Sequence, residues 1–264
     1  MAQKKELNEK EMIQKIISKK EFSDLPKKDV ELVFDFFKKE GFIGEDLIKK
    51  SRELLMKMYT VFLSRKLLVL KERAPEWFLK KHVSTRERFD NYKEVYKNCL
   101  KDFKNERINI YDLGCGLNGF SYDEFGKAGF NVTYTGVEAV GQLVDLQNNW
   151  FKKENKNASC FHESLFDLEK IEEILKEGGG KKVVFLFKTL DSLEMLKRNY
   201  SKDFLNEIVP LVDRIVVSWA TRSLISKKGF FATKKWLKDF IDENFKVLRE
   251  FELAGEKYII FQKK

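Results

Sequence analysis

Two acids flanking a glycine turn carry the most informative chemistry in this chain. Tyr111-Asp-Leu-Gly-Cys-Gly-Leu-Asn-Gly119 places Asp112 just before Gly114 and Gly116. Glycines there let the backbone turn sharply and lie against a ligand without Cβ clashes. Glu138 closes Tyr134-Thr-Gly-Val-Glu, 26 residues after Asp112. An acid in that place suits the two hydroxyls of a ribose. Two nucleotide-type ligands compete for the pattern. NAD favours Gly-x-Gly-x-x-Gly with its pyrophosphate over a helix N-terminus, and Gly119 meets that pattern only by spacing. Asp112 argues against a pyrophosphate and for a cationic ligand. S-adenosylmethionine carries a sulfonium and an ammonium and no phosphate.

Other chemistries find little support. Cys99, Cys115 and Cys160 make no disulfide framework, and with His82 and His162 they show no metal-ligand spacing. No metal is expected, and His162 reads as structural. The first residues, MAQKKELNEK, lack an apolar signal region. No apolar run approaches the ~18 residues of a membrane span. The expectation is a cytoplasmic protein with no membrane partner, acting as a monomer.

These residues must be positioned by an α/β fold. Short β-rich runs begin near residue 106: Ile108–Leu113, Val132–Val137, Ala158–Phe161, Val183–Phe187 and Arg214–Ser218. Helical stretches separate them. A final pair, Phe245–Leu253 and Lys257–Gln262, is joined by Ala254-Gly255-Glu256. The pattern predicts a mostly parallel sheet closed by an antiparallel strand. Residues 1–105 read differently. Apolar residues recur every three or four positions, as in Val30, Val33, Phe36 and Phe37, and no glycine occurs from 45 to 113. The expected organisation is an all-helical domain over 1–105 and a catalytic domain over 106–264.

Charge divides at the same place. Residues 1–105 hold 26 Lys and Arg against 18 Asp and Glu, a surplus of eight out of the chain's net +9. Such a surplus suits a polyanion, because Lys and Arg displace counterions from phosphates. Solvated faces of a lysine-rich chain would look alike. If the helices are a docking domain for RNA, removing residues 1–80 should spare the donor site.

In order along the chain, five segments resemble the aminoglycoside-resistance type 16S rRNA guanine-N7 methyltransferases: His82-Val-Ser-Thr-Arg-Glu-Arg88, Asp112–Asn118, Phe187-Lys-Thr-Leu-Asp-Ser-Leu-Glu194, Ser218-Trp-Ala-Thr-Arg-Ser-Leu224 and Gly255-Glu-Lys-Tyr-Ile-Ile260. Residues 1–80 match in helical character only. The pattern departs from the family at Gly119 and Asp191, where proline is usual. It also departs at Ser226–Phe231, where a stretch rich in Gly, Arg and Lys is usual.

The resemblance implies a Rossmann-like S-adenosylmethionine-dependent methyltransferase fold with a mostly parallel seven-stranded sheet and an N-terminal helical domain. It implies S-adenosylmethionine as cofactor and 16S rRNA in the small ribosomal subunit as partner. Cofactor contacts fall to Arg88, or Arg86, at the donor's carboxylate, and to Asp112, Gly114, Gly116, Glu138, Glu163 and Leu165. Glu163 would face the adenine amino group, with Leu165 and Phe166 on the ring. Lys188 and Arg222 would hold the target guanine or its phosphate, with Glu194 and Glu256 behind them as weaker candidates. Trp219 would stack on the base or plug the sheet end. Ser84 and Glu87 also read as a capping box. The alternatives are a methyltransferase of tRNA or another structured RNA, a small-molecule methyltransferase, and an RNA-binding module without activity. The basic helical half disfavours the small-molecule reading, and the intact Asp112, Gly114, Gly116 and Glu138 disfavour the inactive one.

Overall fold

A computed structural model describes residues 7–60, 73–221 and 234–264. Seven strands form one sheet: β1 (Ile108–Leu113), β2 (Val132–Glu138), β3 (Ala158–His162), β4 (Lys181–Phe187), β5 (Arg214–Ala220), β6 (Lys246–Leu253) and β7 (Glu256–Gln262). Their order is β3-β2-β1-β4-β5-β7-β6. Strands β1 to β5 run parallel, and β7 lies antiparallel between β5 and β6. The chain steps outward from β1 to β3 and then crosses back to β4 on the other side of β1. That reversal opens a crevice beyond the C-terminal ends of β1 and β4, the usual ligand site of such sheets.

Sequence explains the central strands directly. All six residues of β1 are buried, as are Val183–Phe187 in β4. Parallel strands covered on both faces need such continuous apolar runs. The closing hairpin turns through two residues rather than three. Ala254 (φ 56°) and Gly255 (φ 74°) both take the left-handed conformation of a primed turn, so Glu256 already belongs to β7.

The N-terminal half is helical: α1 (Glu9–Ile17), α2 (Lys27–Lys39), α3 (Gly44–Leu55), α4 (Pro75–Lys81), α5 (Val83–Arg88) and α6 (Tyr92–Leu100). A π-helical turn, Met56–Thr60, follows α3. Between strands lie α7 (Tyr122–Ala128), α8 (Gly141–Lys153), α9 (Leu168–Lys176), α10 (Leu190–Leu196) and α11 (Tyr200–Ile208), with α12 (Lys235–Asn244) before the hairpin.

One sequence expectation needs correction. The capping box is absent, because α5 starts at Val83, before Ser84, and its N-cap His82 makes no side-chain cap bond. Ser84 Oγ instead accepts from Arg88 Nη1 at 3.4 Å. The helices and the sheet also share apolar packing. Ile16, Val33 and Leu47 belong to one apolar cluster with Tyr134, Phe185 and Ile260 of the sheet. Tyr96 of α6 stacks on Phe125 of α7, with ring centroids 3.8 Å apart. Asp102 accepts from Arg214 of β5 and Arg249 of β6. The texture changes at residue 106, yet the core runs through it.

Candidate active site

The crevice beyond β1, β2 and β4 is a cleft of about 850 Å³ including its open mouth. Its floor is the glycine turn. Gly114 (φ 74°) and Gly116 (φ 55°) are left-handed. A Cβ on Gly114 would come within 2.7 Å of Thr189 Cγ2, and one on Gly116 within 3.0 Å of His82 Cε1. The turn needs glycine for its conformation and for space. Burial pushes the His82 imidazole down to about 3, with Arg88 and Lys188 adding to the effect. It is therefore neutral near pH 7 and unsuited to shuttling protons there.

Asp112, next to last in β1, is 1% exposed. Its Oδ2 accepts from Asn118 Nδ2 at 2.7 Å and from the Tyr134 hydroxyl at 2.9 Å. Burial outweighs these bonds and pushes its carboxyl up to about 6. Glu138 ends β2 and clamps the turn from the other side. Its Oε2 accepts from Gly116 N–H at 2.8 Å and its Oε1 from Val140 N–H at 3.0 Å. Burial raises its carboxyl despite these backbone donors. A carboxylate offers about four acceptor positions, so two engaged donors leave room for a ligand's hydroxyls.

The walls come from several elements. Leu165 and Phe166, after β3, line one side. Met58 and Tyr59 of the π-helical turn also line the cleft. Sequence reasoning missed both, because nothing in a periodic apolar run marks one turn as a ligand wall. Glu163 is only half-buried and is not part of the wall; its N–H donates to Glu138 O at 3.3 Å. His162 Nε2 lies 3.0 Å from Ala139 O, a bond between β3 and the loop after β2.

A charged cluster occupies the β4 side. Glu256, fully buried, receives Arg88 Nη1 at 3.0 Å and Lys188 Nζ at 3.2 Å. The Ser218 hydroxyl donates to it as well, and Glu87 pairs with Lys188 from the outer side. Burial alone would raise Glu256, but Arg88 and Lys188 outweigh it and hold its carboxyl below the usual range. Lys188 sits at φ 59°, a strained conformation for a residue with a side chain. Its N–H donates to Ser218 O at 3.1 Å. Arg88 lines the cleft, and its buried Nε has no partner among the described residues.

Not every candidate gathers here. Glu194 accepts from the N–H groups of Asn199 and Ser201, both at 2.8 Å, and so caps the start of α11. It does not line the cleft. The structure thus sets Glu194 apart from the candidates gathered in the cleft. Trp219 is buried in the second apolar cluster and plugs the sheet end. Arg86 is exposed on α5. Arg222 and Ser226–Phe231 lie outside the described residues.

S-adenosylmethionine fits what is present. The glycine cradle leaves no room for a Cβ. Glu138 offers acceptors for a ribose, and Arg88 holds an unpartnered buried donor for a carboxylate. Among the described residues no cluster suited to a metal ion occurs, and no helix is long and apolar enough to cross a membrane.

The sheet order, with β7 inserted antiparallel between β5 and β6, is the fold of the S-adenosylmethionine-dependent methyltransferases. Solved structures share it. The 16S rRNA methyltransferase RmtF, solved with S-adenosyl-L-homocysteine, superposes with a TM-score of 0.76 at 21% identity, covering 98% of this chain and 100% of that one. The 16S rRNA methylase RmtB gives 0.75 at 16% identity, covering 97% and 99%. The 16S rRNA methylase ArmA gives 0.55 at 20% identity, covering 73% and 92%. No curated protein sequence matches the chain significantly. The family model of the ribosomal RNA methyltransferase FmrO matches residues 72–260, and the chain belongs to that family.

Proposed function

We propose that this ribosomal RNA methyltransferase transfers the methyl group of S-adenosylmethionine to N7 of a guanine in 16S rRNA of the small ribosomal subunit. The observation that carries this reading is the juxtaposition of two chemistries in one cleft. The glycine turn with Asp112 and Glu138 suits a cationic nucleoside. Arg88 and Lys188 line the same cleft and are both paired to the buried Glu256.

When bound, the donor supplies a methyl group activated by its sulfonium. Guanine N7 carries a lone pair in the neutral base, so no group need remove a proton before attack. The protein's work is placement and field. Asp112 sets a negative charge at the floor, which favours a cationic ligand. Glu138 holds the ribose, and Arg88 the amino-acid carboxylate. Leu165 and Phe166 cover the adenine, and the family resemblance assigns its amino group to Glu163. Lys188 holds the guanine O6 or the flanking phosphate, a role the family resemblance extends to Arg222. Glu256 fixes Arg88 and Lys188 relative to each other and is a positioning residue. A base in a helix must leave its stack to enter such a cleft.

The test is to incubate the protein with tritium-labelled donor and purified small subunits, naked 16S rRNA, or tRNA. Label in the small subunit, released by chain cleavage at 7-methylguanosine, is the expected result. Label confined to tRNA, or to a base position other than N7, would overturn the assignment.

A further inference from the structure

One fully buried carboxylate plays no part in the chemistry above. Asp29 sits in the first turn of α2, at 0% exposure. Its Oδ2 accepts from the Tyr59 hydroxyl at 2.6 Å. Its Oδ1 accepts from the Ser164 hydroxyl. Among the described residues it makes no ion pair; neighbouring Lys28 pairs with Asp167 at 3.3 Å. Burying an unpaired carboxylate is costly, and two hydroxyl donors recover only part of that cost. Burial accordingly raises the carboxyl above its ordinary value. For packing alone, an apolar side chain would serve α2 better.

Both donors lead to the cleft. Tyr59 lines it from the π-helical turn, and turns of this kind recur at functional sites. Ser164 Oγ accepts from Phe166 N–H at 3.0 Å, which fixes the loop carrying Leu165 and Phe166. The same loop is tied from behind by the Tyr200 hydroxyl, which donates to Leu165 O at 2.9 Å. The two walls thus come from distant parts of the chain, and they meet at one carboxylate. Next to it, Gly141 N–H donates to Asp24 O at 2.9 Å, so the corner before α2 also rests on the start of α8.

We propose that Asp29 is a positioning residue for the adenine end of the donor site, acting through Tyr59 on one wall and Ser164 on the other. This rests on the donor reading above. The helical half then completes the cofactor site as well as carrying the surplus charge. The adenine lies far from the transferred methyl group, so Asp29 contributes to binding and not to the chemical step. An interaction made equally in ground and transition states alters KM and leaves kcat unchanged.

The probe is S-adenosylhomocysteine, titrated by calorimetry into the full chain and into Asp29→Asn, Tyr59→Phe and Ser164→Ala, with thermal melts as controls. An asparagine keeps the shape of Asp29 but replaces one acceptor oxygen with a donor. Asp29→Asn should weaken binding by roughly tenfold, the scale of one buried hydrogen-bonding group left unsatisfied. Combining it with Ser164→Ala should cost less than the sum of the two single effects, because the Asp29–Ser164 bond is common to both. The KM for the donor should rise in parallel, with kcat at saturating donor and RNA within about twofold of the original. Tyr59→Phe removes one hydroxyl and keeps the test decisive should Asp29→Asn fail to fold. Unchanged affinity in the folded variants, or a fall in kcat at constant KM, would overturn the proposal. If the unaltered chain itself fails to bind S-adenosylhomocysteine, the donor reading falls first and this one with it.

Discussion

Under the proposed donor reading, Asp112 is a carboxylate whose charge the site needs and whose burial opposes it. Its carboxyl is raised to about 6, so it is largely ionised at pH 7 and largely protonated at pH 5. A cationic donor binds the ionised form. Donor affinity should therefore fall by roughly tenfold between pH 7 and pH 5, following the ionised fraction. His82 remains neutral over that window, since its own titration lies near 3. Calorimetry with S-adenosylmethionine across this range checks the slope. Asp112→Asn should bind weakly at pH 7 and lose most of the pH dependence. The glycine turn gives a second expectation. Gly114→Val would force a β-branched residue to φ 74° and drive its Cβ to 2.7 Å from Thr189. Donor binding should vanish by calorimetry while circular dichroism shows the fold retained.

Between elements, the joint that matters most is α5 against β7. Arg88 and Glu256 are 168 residues apart and meet at 2% and 0% exposure. Removing one partner leaves the other charge buried alone, at a cost of about 3–5 kcal/mol. Glu256→Gln should lower stability on that scale in urea melts. The folded carboxyl of Glu256 lies below its ordinary 4.5. Its contribution is therefore complete above the unfolded value and is lost as pH falls through the folded one. The variant should show less acid sensitivity below that point than the unaltered chain. This joint also shows what the sequence could and could not reveal. Every β-rich run became a strand, because continuous apolar stretches such as Val183–Phe187 have few other solutions. The glycine turn was readable because strand, acid and glycines are contiguous. The pairing of Arg88 with Glu256 was not, since no local pattern marks two residues that meet only after the sheet forms. The position of Glu194 was hidden for the opposite reason. Its partners, Asn199 and Ser201, are backbone donors, and every residue but proline carries one. Met58, Tyr59 and Asp29 stayed hidden among helical residues that read as ordinary core.

At the scale of the whole molecule, the charge asymmetry and the shared core must be weighed together. The shared core means that a chain beginning at residue 73 should fail to melt cooperatively, since losing α1 to α3 strips Ile16, Val33 and Leu47 from the cluster that backs the sheet. Calorimetric and circular-dichroism melts of that fragment check this. RNA binding must then be probed by point changes rather than by deletion. Lys19 and Lys20 are exposed at the corner between α1 and α2. That corner touches the start of α8, where Gln142 Nε2 donates to Lys20 O at 3.3 Å. Glu138 lines the cleft and α8 follows it closely in the chain, so lysines at this corner are candidates for phosphate contacts under the proposed RNA reading. Binding of the small subunit's RNA should weaken steeply with salt, because each phosphate contact releases a counterion. Lys19→Glu combined with Lys20→Glu should weaken binding at low salt and flatten the logarithmic salt slope by roughly one unit per lysine. Donor affinity should stay unchanged, since neither side chain lines the cleft. Filter binding over a series of salt concentrations measures both quantities. An unaltered slope would assign this corner to solvent and leave the phosphate contacts to other basic residues of the helical half.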